Sequence, residues 1–96
     1  MIYNFEWDPN KAKTNIEKHG ISFEEATTVF HDPRALTVYD PDHSNTEDRW
    51  ITLGISQKGK LLVVCHTYQQ TDHHTAAIRI FSSRKTTRTE SRQYGE

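Results

Sequence analysis

A chain of 96 residues with 33% hydrophobic content has room for one domain, residues 1–96, with a thin core and no separate regulatory module. Cys65 is the only cysteine, which excludes an internal disulfide framework. With no signal-peptide pattern and no run near the ~18 apolar residues of a membrane span, this points to a cytoplasmic protein. The net charge of −1 hides an asymmetry: residues 1–48 hold four basic and ten acidic groups, residues 49–96 eight basic and three acidic, which predicts one basic face for an anionic ligand unless the fold interleaves the halves.

Phe5 and Trp7 flank Glu6 in a short alternating strand. Asp8-Pro9 then reads as a cap with proline at the first helical position, and a helix is predicted over about 9–18, closed by His19-Gly20. Ser22 and Glu25 form a capping box for a second helix, whose Phe23, Ala26, Thr27 and Phe30 fall on one face and which stops at Asp32-Pro33. Four strand patterns follow, at 36–39, 50–55, 61–67 and 76–81, with Ser56-Gln57-Lys58-Gly59 as a hairpin turn and the segments 40–48 and 69–75 as exposed loops. Thr87 and Glu90 open a last helix that ends at Gly95. This order predicts an α+β domain: an antiparallel sheet of about four strands with the helices on one face and the other face open to a ligand.

Several segments together resemble the BrnT family of type II toxins, which are RelE-like ribonucleases. They are FEWDPNKAKTNIEKHGISFEEA (5–26), VFHDP (29–33), EDRW (47–50), LGIS (53–56), LLVVCHT (61–67) and RIFSSRKTTRTESRQY (79–94). The resemblance implies a RelE-like fold, an RNA endonuclease that inhibits translation without a cofactor, and neutralisation by an antitoxin, usually BrnA; it leaves room for a toxin dimer in the toxin–antitoxin complex. The chain departs from the family at Tyr68-Gln69-Gln70, where members often carry an arginine after the HT pair, and in a longer loop over 69–77.

RNA is cut without metal when its own 2′-hydroxyl attacks the adjacent phosphate, which needs a base, cations and an acid. His66, at the end of an apolar strand, is a candidate for either proton-transfer role. Arg79 lies on the neighbouring strand candidate and Arg84-Lys85 at its end, where they could gather with His66 on one sheet edge, and arginine forks suit phosphate oxygens. Lys18 and His19 end the first helix, where the helix dipole favours cations with or without chemistry, and Arg49 either joins the phosphate cluster or pairs with Glu47 or Asp48. Arg88 and Arg92, four apart on the last helix, would extend an RNA track or meet an acidic antitoxin segment.

The Asp72-His73-His74 run lacks a second ligand pair at fixed spacing, so no metal site is expected. Trp7, Phe23, Phe30 and Trp50 read as core, and Cys65 as a small buried hydrophobe. The competing function is a non-catalytic RNA-binding or protein-interaction module of the same fold. Convergence of a histidine and two cations on one point would separate the two.

Overall fold

Local hydrogen bonds start and stop each helix in the computed structural model, which describes residues 1–95. Strand β1 covers Ile2–Glu6. Helix α1 (Pro9–His19) is capped by Asp8, whose carboxylate accepts from Asn10 N at 2.8 Å; it ends at Gly20, whose φ of +69° is open to glycine at little cost. Helix α2 (Phe23–Thr28) is capped by Ser22 Oγ accepting from Glu25 N, and a 3₁₀ turn over Val29–His31 extends it. Strands β2 (Leu36–Tyr39), β3 (Trp50–Ile55), β4 (Leu61–His66), β5 (Gln69–Gln70) and β6 (Thr75–Lys85) follow. Helix α3 (Arg88–Tyr94) begins with the reciprocal Thr87–Glu90 capping box.

The strands form one sheet in the order β1-β6-β4-β3-β2, with β5 also paired to β6. This corrects the expected four-stranded antiparallel sheet. It has six strands, and it is mixed, because β1 runs parallel to β6 with Ile2 opposite Thr75 and Glu6 opposite Arg79. The loop expected over 69–75 also contains β5, with Gln69 opposite Ala77.

Beyond Arg79, β1 no longer covers the edge of β6 and α1 takes its place. The buried Asn15 side chain bonds the strand as a neighbouring backbone would: Nδ2 donates to Ser83 O at 2.8 Å and Oδ1 accepts from Ser83 N at 3.1 Å. Nδ2 also donates to Ile21 O at 2.9 Å, tying the α1–α2 turn to the same point.

Successive strand residues face opposite sides of a sheet. One side, the α2 face, joins Phe23, Ala26 and Val29 to Leu62, Val64, Ile78 and Ile80 in the main core. Burying each large apolar side chain there contributes roughly 1.5–3 kcal/mol. Gly54 lets the 3₁₀ turn close on the sheet, since a Cβ there would lie 2.7 Å from Val29 Cγ1. The opposite, α3 face holds a second cluster of Leu53, Val63 and Tyr94. The C-terminal helix therefore packs on the face expected to be open.

Asp32 staples three elements: its carboxylate accepts from Ile55 N, Arg34 N and the Tyr94 hydroxyl. Burial pushes its pKa up, but these bonds and the Arg34 charge outweigh that and leave it below the ordinary value.

Candidate active site

Strand β6 carries a bulge. Cys65 pairs with Ser82 but the next residue, His66, pairs with Ile80, so Phe81 is the extra residue. The extra residue shifts parity along the strand. Ile78 and Ile80 face the α2 core before it, and Ser83 takes the α1 side after it, leaving Arg79 and Arg84 on the α3 face.

Three cations surround the Phe81 ring: Arg49 Cζ at 4.0 Å from its centroid, Arg79 Cζ at 4.9 Å and Lys11 Nζ at 5.2 Å. The ring's electron-rich face attracts such groups, which otherwise repel one another. Glu47 Oε1 sits between the two arginines, in hydrogen-bond contact with Arg79 Nη2 and 3.8 Å from Arg49 Nη2. Loop folding supplies this carboxylate: Ser44 Oγ accepts from Arg49 N at 2.9 Å, and Asp40 N donates to Arg49 O, closing residues 40–49 into a tight excursion. Arg49 Nε is buried without a hydrogen-bond partner among the described residues. An orphan donor beside a second guanidinium is a seat for an anion.

This cleft, of about 280 Å³, is lined by Asp8, Lys11, Glu47, Arg49, Arg79 and Phe81. A second, of about 330 Å³, shares Lys11 and Phe81 and runs along α1 past Ser82 to Lys18 and His19. Four of the sequence candidates, Arg49, Arg79, Lys18 and His19, therefore border one continuous surface. Lys11, Glu47 and Phe81 were not singled out from sequence. Lys11 had a signal, because Lys11, Asn15 and Lys18 recur at the spacing of one helix face. Glu47 was read only as a partner for Arg49.

His66 does not join them. Its partner Ile80 faces the α2 core, so its ring points away from Arg79, and it is 1% exposed. Nδ1 lies 2.8 Å from Thr67 O, which can only accept, so Nδ1 carries the proton. Burial pushes the pKa of the ring down, which keeps it neutral, and Nε2 therefore accepts from Thr52 Oγ1 at 2.7 Å. Thr52 in turn accepts from Thr37 Oγ1 at 2.8 Å. With both nitrogens engaged, His66 has no free position for proton transfer.

Arg84 is held elsewhere as well. Its two terminal nitrogens grip Glu90 at 2.8 and 2.9 Å, and this bond holds the Glu90 carboxyl down to about 2. Lys85 is exposed at the end of β6, and Arg88 and Arg92 are exposed on α3. The charge asymmetry of the two halves is partly undone by the fold, since Arg79–Glu47 and Lys58–Glu25 pair across it. Among the described residues no group of three or more His, Cys, Asp or Glu side chains stands together as a metal would require, and no helix is long and apolar enough to cross a membrane.

No curated protein matches the sequence. Among solved structures the fold is similar to the ribonuclease toxin BrnT of Brucella abortus, with a TM-score of 0.64 and 20% identity over 92% of this chain and 100% of that one. A family model described as the ribonuclease toxin BrnT of type II toxin–antitoxin systems matches residues 7–90. With that match spanning most of the sequence, this chain belongs to the BrnT family of ribonuclease toxins.

Proposed function

We propose that the protein is the toxin of a type II toxin–antitoxin pair, a single RelE-like domain acting in the cytoplasm as a metal-independent RNA endonuclease that inhibits translation. The observation that carries this reading is the grouping of Lys11, Arg49 and Arg79 around Phe81 with one carboxylate between the arginines. In the reaction, Arg49 and Arg79 bind the scissile phosphate and stabilise the charge that gathers on its oxygens. The Glu47 carboxylate accepts the 2′-hydroxyl proton as the 2′ oxygen bonds phosphorus. The phosphorus–5′-oxygen bond breaks, and Lys18 or His19, on the same surface as Lys11, returns a proton to the leaving oxygen. The products are a 2′,3′-cyclic phosphate and a free 5′-hydroxyl.

Incubating the purified protein with end-labelled RNA, with and without chelator, tests this. Cleavage that persists in chelator and leaves cyclic or 3′-phosphate ends is expected. Strict magnesium dependence with 5′-phosphate ends defeats the reading. A BrnA-like antitoxin is the proposed partner, covering the arginine surface, in an assembly that admits a toxin dimer. Co-expression with the neighbouring gene product should yield a stable complex with suppressed cleavage.

Two observations favour the non-catalytic alternative: the buried histidine takes no part in the cation cluster, and Arg84 is neutralised by Glu90. Intact RNA, with binding retained, is the outcome that would select it.

A further inference from the structure

On the α2 face, at the end of the sheet where β3 begins and β4 ends, a further cavity of about 350 Å³ takes no part in the reaction above. Tyr3, Phe30, Thr37, Trp50, His66 and Tyr68 line it, and no Lys, Arg, Asp or Glu does. The rings brace one another: Phe30 lies 5.8 Å from Tyr3 and 4.9 Å from His66, and Tyr39 meets Trp50 edge-on at 5.1 Å. Walls of this kind suit a neutral, flat occupant, and the volume is at the small end for ligand sites, enough for one ring system.

The polar wall has a defined direction. Thr67 O accepts from His66, His66 accepts from Thr52, and Thr52 accepts from Thr37. The Thr37 proton is committed inward, so its oxygen offers only lone pairs to the cavity. An occupant that makes a hydrogen bond there must bring an N–H.

We propose that this cavity is a nucleobase pocket, in which a base lies among Phe30, Trp50 and Tyr68 and donates an N–H to Thr37 Oγ1. Position selects a base over other flat groups. Tyr68, 41% exposed, also lines a separate cleft of about 260 Å³ that shares Arg79 and Glu47 with the arginine cleft, and Arg49 immediately precedes Trp50 in the chain. A base seated here has its sugar-phosphate directed around the sheet end toward the arginines, which an aromatic side chain of a protein partner would leave unused. The use of the pocket in choosing a cleavage site rests on the nuclease reading; binding itself does not.

Trp50 supplies the probe. Adenosine, guanosine, cytidine and uridine are each titrated into the protein while tryptophan fluorescence is followed. Trp7, partly buried against Phe23 at 5.8 Å, gives a background that Trp50→Phe measures on its own. At least one nucleoside should quench saturably with Kd on the order of millimolar, as the size of such a ligand permits. The quench should vanish in Trp50→Phe, and Tyr68→Ala, a change at an exposed ring, should weaken binding by about tenfold. Thr37→Val should weaken it as well, with unchanged circular dichroism for all three variants.

No saturable quench by any nucleoside, a quench that survives Trp50→Phe, or tighter binding of N-acetylphenylalaninamide than of every nucleoside overturns the proposal. Because nucleosides carry no phosphate, the two readings fail separately: binding without RNA cleavage keeps the pocket and removes the nuclease, and cleavage without binding does the reverse.

Discussion

Arg79 and Arg84 lie on one strand and one face, five residues apart, yet they have become different kinds of residue. Arg79 sits just before the Phe81 bulge, shares that ring with Arg49 and Lys11, and meets a carboxylate brought by a surface loop. Arg84 sits beyond the bulge and is gripped at both terminal nitrogens by Glu90, which also accepts from Thr87 N to cap α3. The first is surplus positive charge around an anion seat. The second is a clamp that fastens the C-terminal helix. Residue type and strand position are shared, so the neighbours alone decide the role.

The largest expected effect is on the first of the pair. Arg79→Ala should lower single-turnover RNA cleavage by about 10² to 10³-fold, the usual cost of losing one donor to developing charge, with a melting temperature near that of the parent. Equal rates in the two proteins would show that the seat around Phe81 is not where phosphate reacts. The contrast with the α2 face comes next. Thr52→Val leaves His66 Nε2 buried without a donor and should cost about 1–3 kcal/mol in chemical denaturation. Cleavage by the folded variant should hold at the parent rate, since His66 points away from the arginines. A large loss of rate with unchanged stability would return His66 to the catalytic list.

The division between these regions was only partly legible in the sequence. Caps at Asp8-Pro9, Ser22 and Thr87 were readable because each acts within two or three residues of itself. The strands at 36–39 and 50–55 were readable for the same local reason, their alternation and turn signals. The parallel pairing of β1 with β6 joins Ile2 to Thr75, and nothing local to either strand encodes it. The burial of His66 is illegible through the same gap. Whether a strand-end histidine faces the core depends on its register against Ile80, and that register is set by a bulge across the sheet. Arg49, Arg79, Lys18 and His19, which border the shared clefts, stand out as candidates in the sequence because cations are informative wherever they fall. Glu47 was overlooked because a carboxylate in an acidic loop resembles its solvated neighbours until the loop closes.

The smallest effects concern the clamp, and they sharpen the comparison most directly. Arg84→Ala should leave cleavage nearly unchanged and lower stability by less than about 1 kcal/mol, because partly exposed ion pairs are worth little. Its signature lies in the pH dependence. Glu90 titrates at about 2 in the fold against an ordinary 4.5, so the unfolded chain takes up a proton that the folded chain refuses. The pair's contribution is therefore complete above about pH 4.5 and is lost as pH falls toward 2. His66 adds a separate slope at higher pH: its folded value is depressed, so stability declines as pH drops below the ordinary 6.5. Denaturation midpoints measured from pH 7 to pH 2 should show both declines in the parent. Arg84→Ala should keep the His66 decline and shrink the Glu90 decline, because a Glu90 without its guanidinium partner titrates nearer its ordinary value. A variant whose profile runs parallel to the parent's between pH 4.5 and 2 would mean that Glu90 is held by its cap alone, and the contrast with Arg79 would then lose its second half.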